Sequence, residues 1–158
     1  MFPSYDDFRA CADRISKDIA SACIKSGRSP ASVRLLAVTK TQPPAAAEYA
    51  ARYGLRSVGE NRVQEGIEKR ALTAASIQWE LIGHLQSNKA RPATEHFDRI
   101  QSVDREKLLD QRDRAARELG TTLPILLQGN AGRDPAKYGV ELEEAPRLAA
   151  AAFEKRNL

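Results

Sequence analysis

The run RLLAVTKTQPP, residues 34–44, drives apolar residues into a lone lysine, Lys40, and then breaks at Pro43 and Pro44. Such an ammonium group admits two readings. A lysine can end a strand because its long stem lets the charge reach water. A lysine walled by apolar groups instead has a depressed pKa, and its neutral amine can attack an aldehyde to form a Schiff base. Val38 and Lys40 fall on one face of the strand, so wherever Val38 points, Lys40 stands on the same side at the rim.

Two further stretches carry chemistry. In SVGENRVQEGIEK (Ser57–Lys69), Gly59, Glu60 and Asn61 make a polar corner between strand and helix. Asn61 can orient a ligand or cap the helix that follows. In WELIGHLQSNK (Trp79–Lys89), Gly83 permits a close backbone approach and His84 and Gln86 stand at a strand mouth. His84 can donate to a ligand, stack against one, or satisfy local backbone groups.

The elements that must position these residues follow a regular rhythm. Ser4 and Asp7 resemble a capping box for a first helix, whose stripe runs through Phe8, Cys11, Ala12, Ile15, Ile19, Ala22 and Cys23 and stops at Gly27 and Pro30. Strand-like runs then fall at Val33–Val38, Arg56–Val58, Gln78–Ile82, Arg99–Val103 and Pro124–Leu127. Helix-like stretches follow at Pro44–Tyr53, Val63–Leu72, Leu85–His96, Arg105–Leu119 and Leu142–Lys155. Alternating strands and helices imply an α/β protein with a parallel sheet. A doubly wound dinucleotide fold would carry a glycine fingerprint after its first strand, where this chain has TKTQPP. A (β/α) barrel fits better, because Lys40, Glu60, Asn61, His84, Gln86, Asp104 and Asn130 all fall just past strand ends, the edge where barrel enzymes work.

Composition narrows the class. The net charge of +4 comes from basic residues interleaved with acidic ones, as in DREKLLDQRDRAAREL, a solvated helix pattern that argues against a nucleic-acid surface. A membrane span is not expected, since no apolar run approaches the roughly 20 residues it requires. The start, MFPSYDDFRACADR, lacks the basic and apolar regions of a signal peptide, so a cytoplasmic protein is expected. Cys11 and Cys23, about 18 Å apart along one helix, are expected to be reduced and partly buried rather than bridged. His84 and His96 lack metal-ligand spacing, and no metal is expected.

Taken in order, LLAVTKT, VGENRVQE, LIGHLQSNK, QSVDR and LLQGNAGRDPAKYGV resemble the pyridoxal phosphate homeostasis protein family, relatives of the N-terminal barrel of alanine racemase. The resemblance runs from the first helix to Leu158. It implies a TIM-type barrel in which Lys40 carries pyridoxal 5′-phosphate (PLP) as an internal aldimine, with Val38, Asn61 and His84 near the cofactor. It implies a cofactor carrier or regulator rather than a catalyst, with PLP-dependent apoenzymes as candidate recipients. A racemase-like PLP enzyme is the enzymatic alternative, although no second acid/base group for the far face is evident.

The family barrel has eight strands and this chain supplies five. Residues 1–158 are therefore expected to form one PLP-binding barrel domain without its C-terminal part, where barrels commonly hold phosphate. Gly129 also stands where the family has a larger apolar residue. Open edges would invite self-association, and a half-barrel that binds a partner but no cofactor is the third reading.

Overall fold

The computed structural model describes residues 2–158. Helix α1 (Tyr5–Lys25) begins at the expected capping box, with the Asp7 amide donating to Ser4 Oγ and the Ser4 amide donating to Asp7 Oδ2. Its seated face differs from the expected stripe. Ala12 and Cys23 are buried, while Cys11 and Ile15 are exposed. The helix is turned so that Tyr5 and Phe8 meet Tyr49 and Tyr53 of α2 (Ala45–Tyr53), with ring centroids 5.5–6.1 Å apart. Aromatic packing against this neighbour, which periodicity alone does not encode, sets the rotation.

Five strands follow: β1 (Ala37–Val38), β2 (Ser57–Glu60), β3 (Gln78–Leu81), β4 (Arg99–Val103) and β5 (Ile125–Leu127). They alternate with α2, α3 (Val63–Leu72), α4 (Ala90–His96), α5 (Glu106–Glu118) and α6 (Ala145–Phe153). All pairings are parallel and the sheet order is β1-β2-β3-β4-β5. A doubly wound sheet reverses its strand order partway, and this one does not. The architecture is a partial (β/α) barrel.

Two expected elements are shorter than their patterns. The first strand is confined to Ala37–Val38, because residues 30–32 form a 3-10 turn and only two residues pair with β2. The stretch 85–96 becomes helical only from Ala90, after a 3-10 turn at Ser87–Lys89. One extra residue lies in β4 between the pairs Ile100–Ile125 and Val103–Leu127, a bulge that turns Val103 into the core.

The core lies between one face of the sheet and the helices. Val58, Trp79, Leu81, Ile100 and Val103 from the strands pack with Ala47, Ala50, Phe97, Leu108, Leu109 and Leu148 from the helices. Each large side chain there contributes about 1.5–3 kcal/mol by leaving water. Helix α3 comes especially close to the Phe97 ring, since a Cβ on Gly66 would lie 2.5 Å from Phe97 Cζ. Arg112 of α5 is wholly buried; its Nη1 donates to the Ala90 carbonyl, and burial pushes the guanidinium down to about 9.

The opposite face carries no helix. Val38 and Leu126 are about half exposed there. Near its N-terminal end the face is polar: Glu80 accepts hydrogen bonds from Ser57 and Gln101, both at 2.6 Å, and lies 3.7 Å from Arg99. The open face is thus mixed, apolar at Val38 and Leu126 and polar around Glu80.

Candidate functional site

The strand register continues past the strand ends and aligns the polar junctions along one rim. The Thr39 amide donates to Gly59 O at 3.0 Å, the Ile82 amide to Glu60 O at 2.9 Å and the Gln128 amide to Val103 O at 2.8 Å. Alternation along β1 separates the roles of its residues. Ala37 packs on the core and Thr39 is buried toward α3, while Val38 is 49% exposed on the uncovered face. Lys40 follows Val38 on that side, exposed, in the turn that leaves the strand. The nearby carboxylates of Glu60 and Glu65 are engaged by Lys69, at 2.6 and 3.2 Å, and among the described residues the Lys40 amine has no ion-pair partner.

Two strands along, Asn61 and His84 line a common cleft of about 440 Å³ with Ile82, Gly129, Lys137 and Tyr138. Lys40 is not among its lining residues, so the structure joins Asn61 with His84 and sets Lys40 beside them on the rim. The N-cap of α3 is Arg62, with no side-chain cap bond, so capping does not account for Asn61. The His84 ring stacks on Tyr138, centroids 3.6 Å apart and planes 15° apart. Its buried Nδ1 lies 3.6 Å from Asp104 Oδ2 and makes no hydrogen bond, so His84 does not serve local backbone groups through this atom. The stack fixes the ring while Nε2 lies on the other side of the imidazole.

Gly83 explains how these residues come together. A Cβ there would sit 2.1 Å from the Asn61 carbonyl oxygen, a contact with backbone that no side-chain rotation relieves. Ser102 Oγ donates to the Gly83 carbonyl at 2.6 Å and holds the turn from the β4 side.

One residue expected at the rim lies elsewhere. Glu60 is fully buried on the helix side of β2, because the alternation that aims Asn61 at the rim aims Glu60 at α3. Asn130 does line the cleft with Asn61 and His84, where its side chain also holds the loop, donating to Asp134 O at 2.9 Å and accepting from the Asp134 amide at 3.2 Å. Sequence reasoning missed Tyr138 and the joining of Glu60, Glu65 and Lys69 into one hydrogen-bonded trio. A usable signal for the trio was the Glu65–Lys69 spacing of four, which places both on one side of α3.

Glu65 also answers to pH. The Thr41 amide, donating to Glu65 Oε1 at 2.5 Å, is the chief cause that holds this carboxyl below its ordinary value of 4.5, with Lys69 and Arg62 adding to it. A depressed folded pKa stabilises above the unfolded value and is lost as pH falls through the folded one. The stability gap between wild type and Glu65→Gln is therefore expected to be full above about pH 4.5 and to close below it. Thermal melts across acidic pH read this directly, and a gap unchanged to the lowest pH would contradict it.

The fold and rim define an α/β partial barrel whose first strand delivers an unpaired lysine to its C-terminal mouth. The family described as alanine racemase, N-terminal domain, matches residues 13–158, and the chain belongs to it. The pyridoxal phosphate homeostasis protein of Pseudomonas aeruginosa is 42% identical over 147 residues, covering 92% of this chain and 64% of the relative. The chain thus spans just under two thirds of that curated relative. A crystal structure of an unknown protein from Bifidobacterium adolescentis matches 99% of this chain and 69% of that one, with 32% identity and a TM-score of 0.85. PipY of Synechococcus elongatus without PLP matches at 40% identity and a TM-score of 0.75, covering 90% of this chain and 66% of PipY. With PLP bound, PipY matches at 41% identity and a TM-score of 0.64, covering 85% and 64%. Among the described residues of this chain, no helix is long and apolar enough to cross a membrane.

Proposed function

We propose that this chain binds pyridoxal 5′-phosphate and acts in PLP homeostasis as a carrier or regulator, with Lys40 as the Schiff-base lysine. The observation that carries this reading is the unpaired, exposed amine of Lys40 at the mouth of β1, next to a cleft. The cleft volume of about 440 Å³ lies in the range of roughly 300–1,000 Å³ common for small-molecule sites. Its walls suit a flat polar ring: Ile82 is apolar, Asn61 can hydrogen-bond, and His84 offers a stacked ring. Relatives add support, since one is named for PLP homeostasis and PipY has a structure with PLP bound.

When held on a lysine amine, PLP supplies an electron sink for amino-acid chemistry. This chain's own residues have simpler tasks. Lys40 offers the amine, Val38 shields it from below with an apolar side chain, and Asn61 and His84 orient the ring. Barrels commonly hold phosphate on the loops after strands seven and eight. Those loops lie outside these five βα units, so we assign no residue here to the phosphate. The reading extends to a cytoplasmic location, PLP-dependent apoenzymes as recipients, residues 1–158 acting as one unit, and self-association through the edges β1 and β5.

The test is titration with PLP, reduction with borohydride and peptide mass mapping. The expected result is a visible absorbance band and a reduced adduct on Lys40, both lost in Lys40→Ala. Equal, weak binding by wild type and variant would defeat the cofactor role. A colourless oligomer that light scattering shows unchanged by PLP would favour the half-barrel that binds only a partner.

A further inference from the structure

Lys40 sits in a turn that the structure grips from both sides. The Gln42 amide donates to Thr39 O at 3.0 Å, which closes the four-residue turn Thr39–Gln42 around Lys40 and Thr41. Thr41 has φ of 62°, in the left-handed region. A type II turn requires positive φ at this third position and normally takes glycine there, while a β-branched residue is strained. Such strain persists only where surrounding contacts over-determine it, and it clusters at functional sites.

The contacts that over-determine it come from one helix. Glu65 Oε1 accepts the Thr41 amide at 2.5 Å. Lys69 Nζ donates to the Thr39 carbonyl at 2.7 Å, to Glu60 Oε1 at 2.6 Å and to Glu65 Oε1 at 3.2 Å. Thr39 Oγ1 donates to the same Glu60 oxygen at 2.6 Å. Glu60 and Lys69 are buried, at 0% and 5% exposure, whereas the Glu65 side chain is 27% exposed. The hydrogen bonds of Glu65 and Lys69 go to the residues before and after Lys40 rather than to its side chain.

We propose that Glu65 and Lys69 are positioning residues for Lys40, clamping the backbone at Thr39 and Thr41 so that the strained turn presents the amine to the rim. Hydrogen bonds to charged groups are the stronger ones, and several of these are shielded from water. Part of the GENRVQEGIEK segment thus acts across the sheet on the neighbouring strand end. The inference rests on the reading of Lys40 as the PLP-reactive amine.

The experiment uses the full 158-residue chain, with Glu65→Ala as the main variant because that side chain is partly exposed and its loss spares the buried pair. Amide hydrogen exchange is followed at Thr41, and formation of the borohydride-trapped PLP adduct is measured at Lys40. Glu65→Ala should speed Thr41 exchange about tenfold or more and weaken the Lys40 adduct by about tenfold. Glu65→Gln keeps an acceptor for the Thr41 amide and should recover most of both. In a Thr41→Gly background, where the turn is unstrained, Glu65→Ala should weaken the adduct much less.

Unchanged Thr41 exchange in Glu65→Ala would overturn the clamp whatever PLP does. Faster exchange with an unweakened adduct would overturn the positioning role and leave the cofactor reading standing. Equal losses in the Thr41 and Thr41→Gly backgrounds would show that the effect does not pass through the strained turn, and would overturn it too. A wild-type chain that forms no adduct at Lys40 overturns the cofactor reading and this inference together.

Discussion

Lys69→Met is expected to destabilise the protein by about 3–5 kcal/mol, the usual cost of removing one partner from a buried ion pair. Lys69 and Glu60 are buried 2.6 Å apart, and Glu60 Oε2 has no hydrogen-bond partner among the described residues. Without the ammonium group, Glu60 would keep only the Thr39 hydroxyl, at 2.6 Å. A carboxylate left this way in the helix layer retains its full desolvation cost and loses the attraction that offset it. Methionine keeps the length and fills the space, so the loss reports the charge rather than a cavity. Urea unfolding should show a lower midpoint with an unchanged slope. Adding Glu60→Leu should recover much of the loss, because replacing both members of a buried pair is often neutral. A single-variant loss below about 1 kcal/mol, the scale of an exposed pair, would contradict this account.

Gly83→Ala should cost at least about 1–3 kcal/mol, the range for overpacking, and should also open the cleft. The added carbon would meet the Asn61 carbonyl oxygen at 2.1 Å and its carbonyl carbon and Cα at 2.7 Å. Those are backbone atoms of the neighbouring strand end, so relief requires the two strand ends to separate. Separation moves Asn61 and His84 apart and strains the 2.6 Å bond from Ser102 to the Gly83 carbonyl. Both stability and PLP affinity should therefore fall. Gly66→Ala is the comparison: its Cβ would press on the Phe97 ring, which does not line the cleft, and should lower stability with a smaller effect on PLP affinity. A Gly83→Ala protein with wild-type melting and PLP binding would refute the close-approach argument.

How far the residues announced this arrangement depends on the kind of information involved. The βα rhythm was legible because period-two and helical patterns are local, and α3 and β4 fall at the expected bounds. Asn61 and His84 were legible because each follows a recognisable strand. The rotation of α1 was not, since it depends on Tyr49 and Tyr53 of another helix. Glu60 was placed on the wrong side because a junction residue's direction turns on where the strand ends, and β2 runs to Glu60 itself. The stack of Tyr138 on His84 joins residues 54 positions apart in the chain, a pairing that no local pattern contains. Gly129 bridges Val140 through its backbone, but a Cβ there would meet nothing closer than 3.8 Å, so the fold does not explain the departure at this position.

The sheet order has a consequence for biosynthesis. Every strand pairs only with the strands made immediately before and after it. A nascent chain leaving the ribosome can therefore add these βα units one at a time to a single growing edge. Each pairing closes a loop no longer than one βα unit, which favours folding in chain order. The first unit to emerge already contains Lys40, but Thr41 gains its Glu65 acceptor only after α3 has docked. The turn around Lys40 is thus set in the second step of assembly, when the β2–α3 unit docks, well before the later units are made.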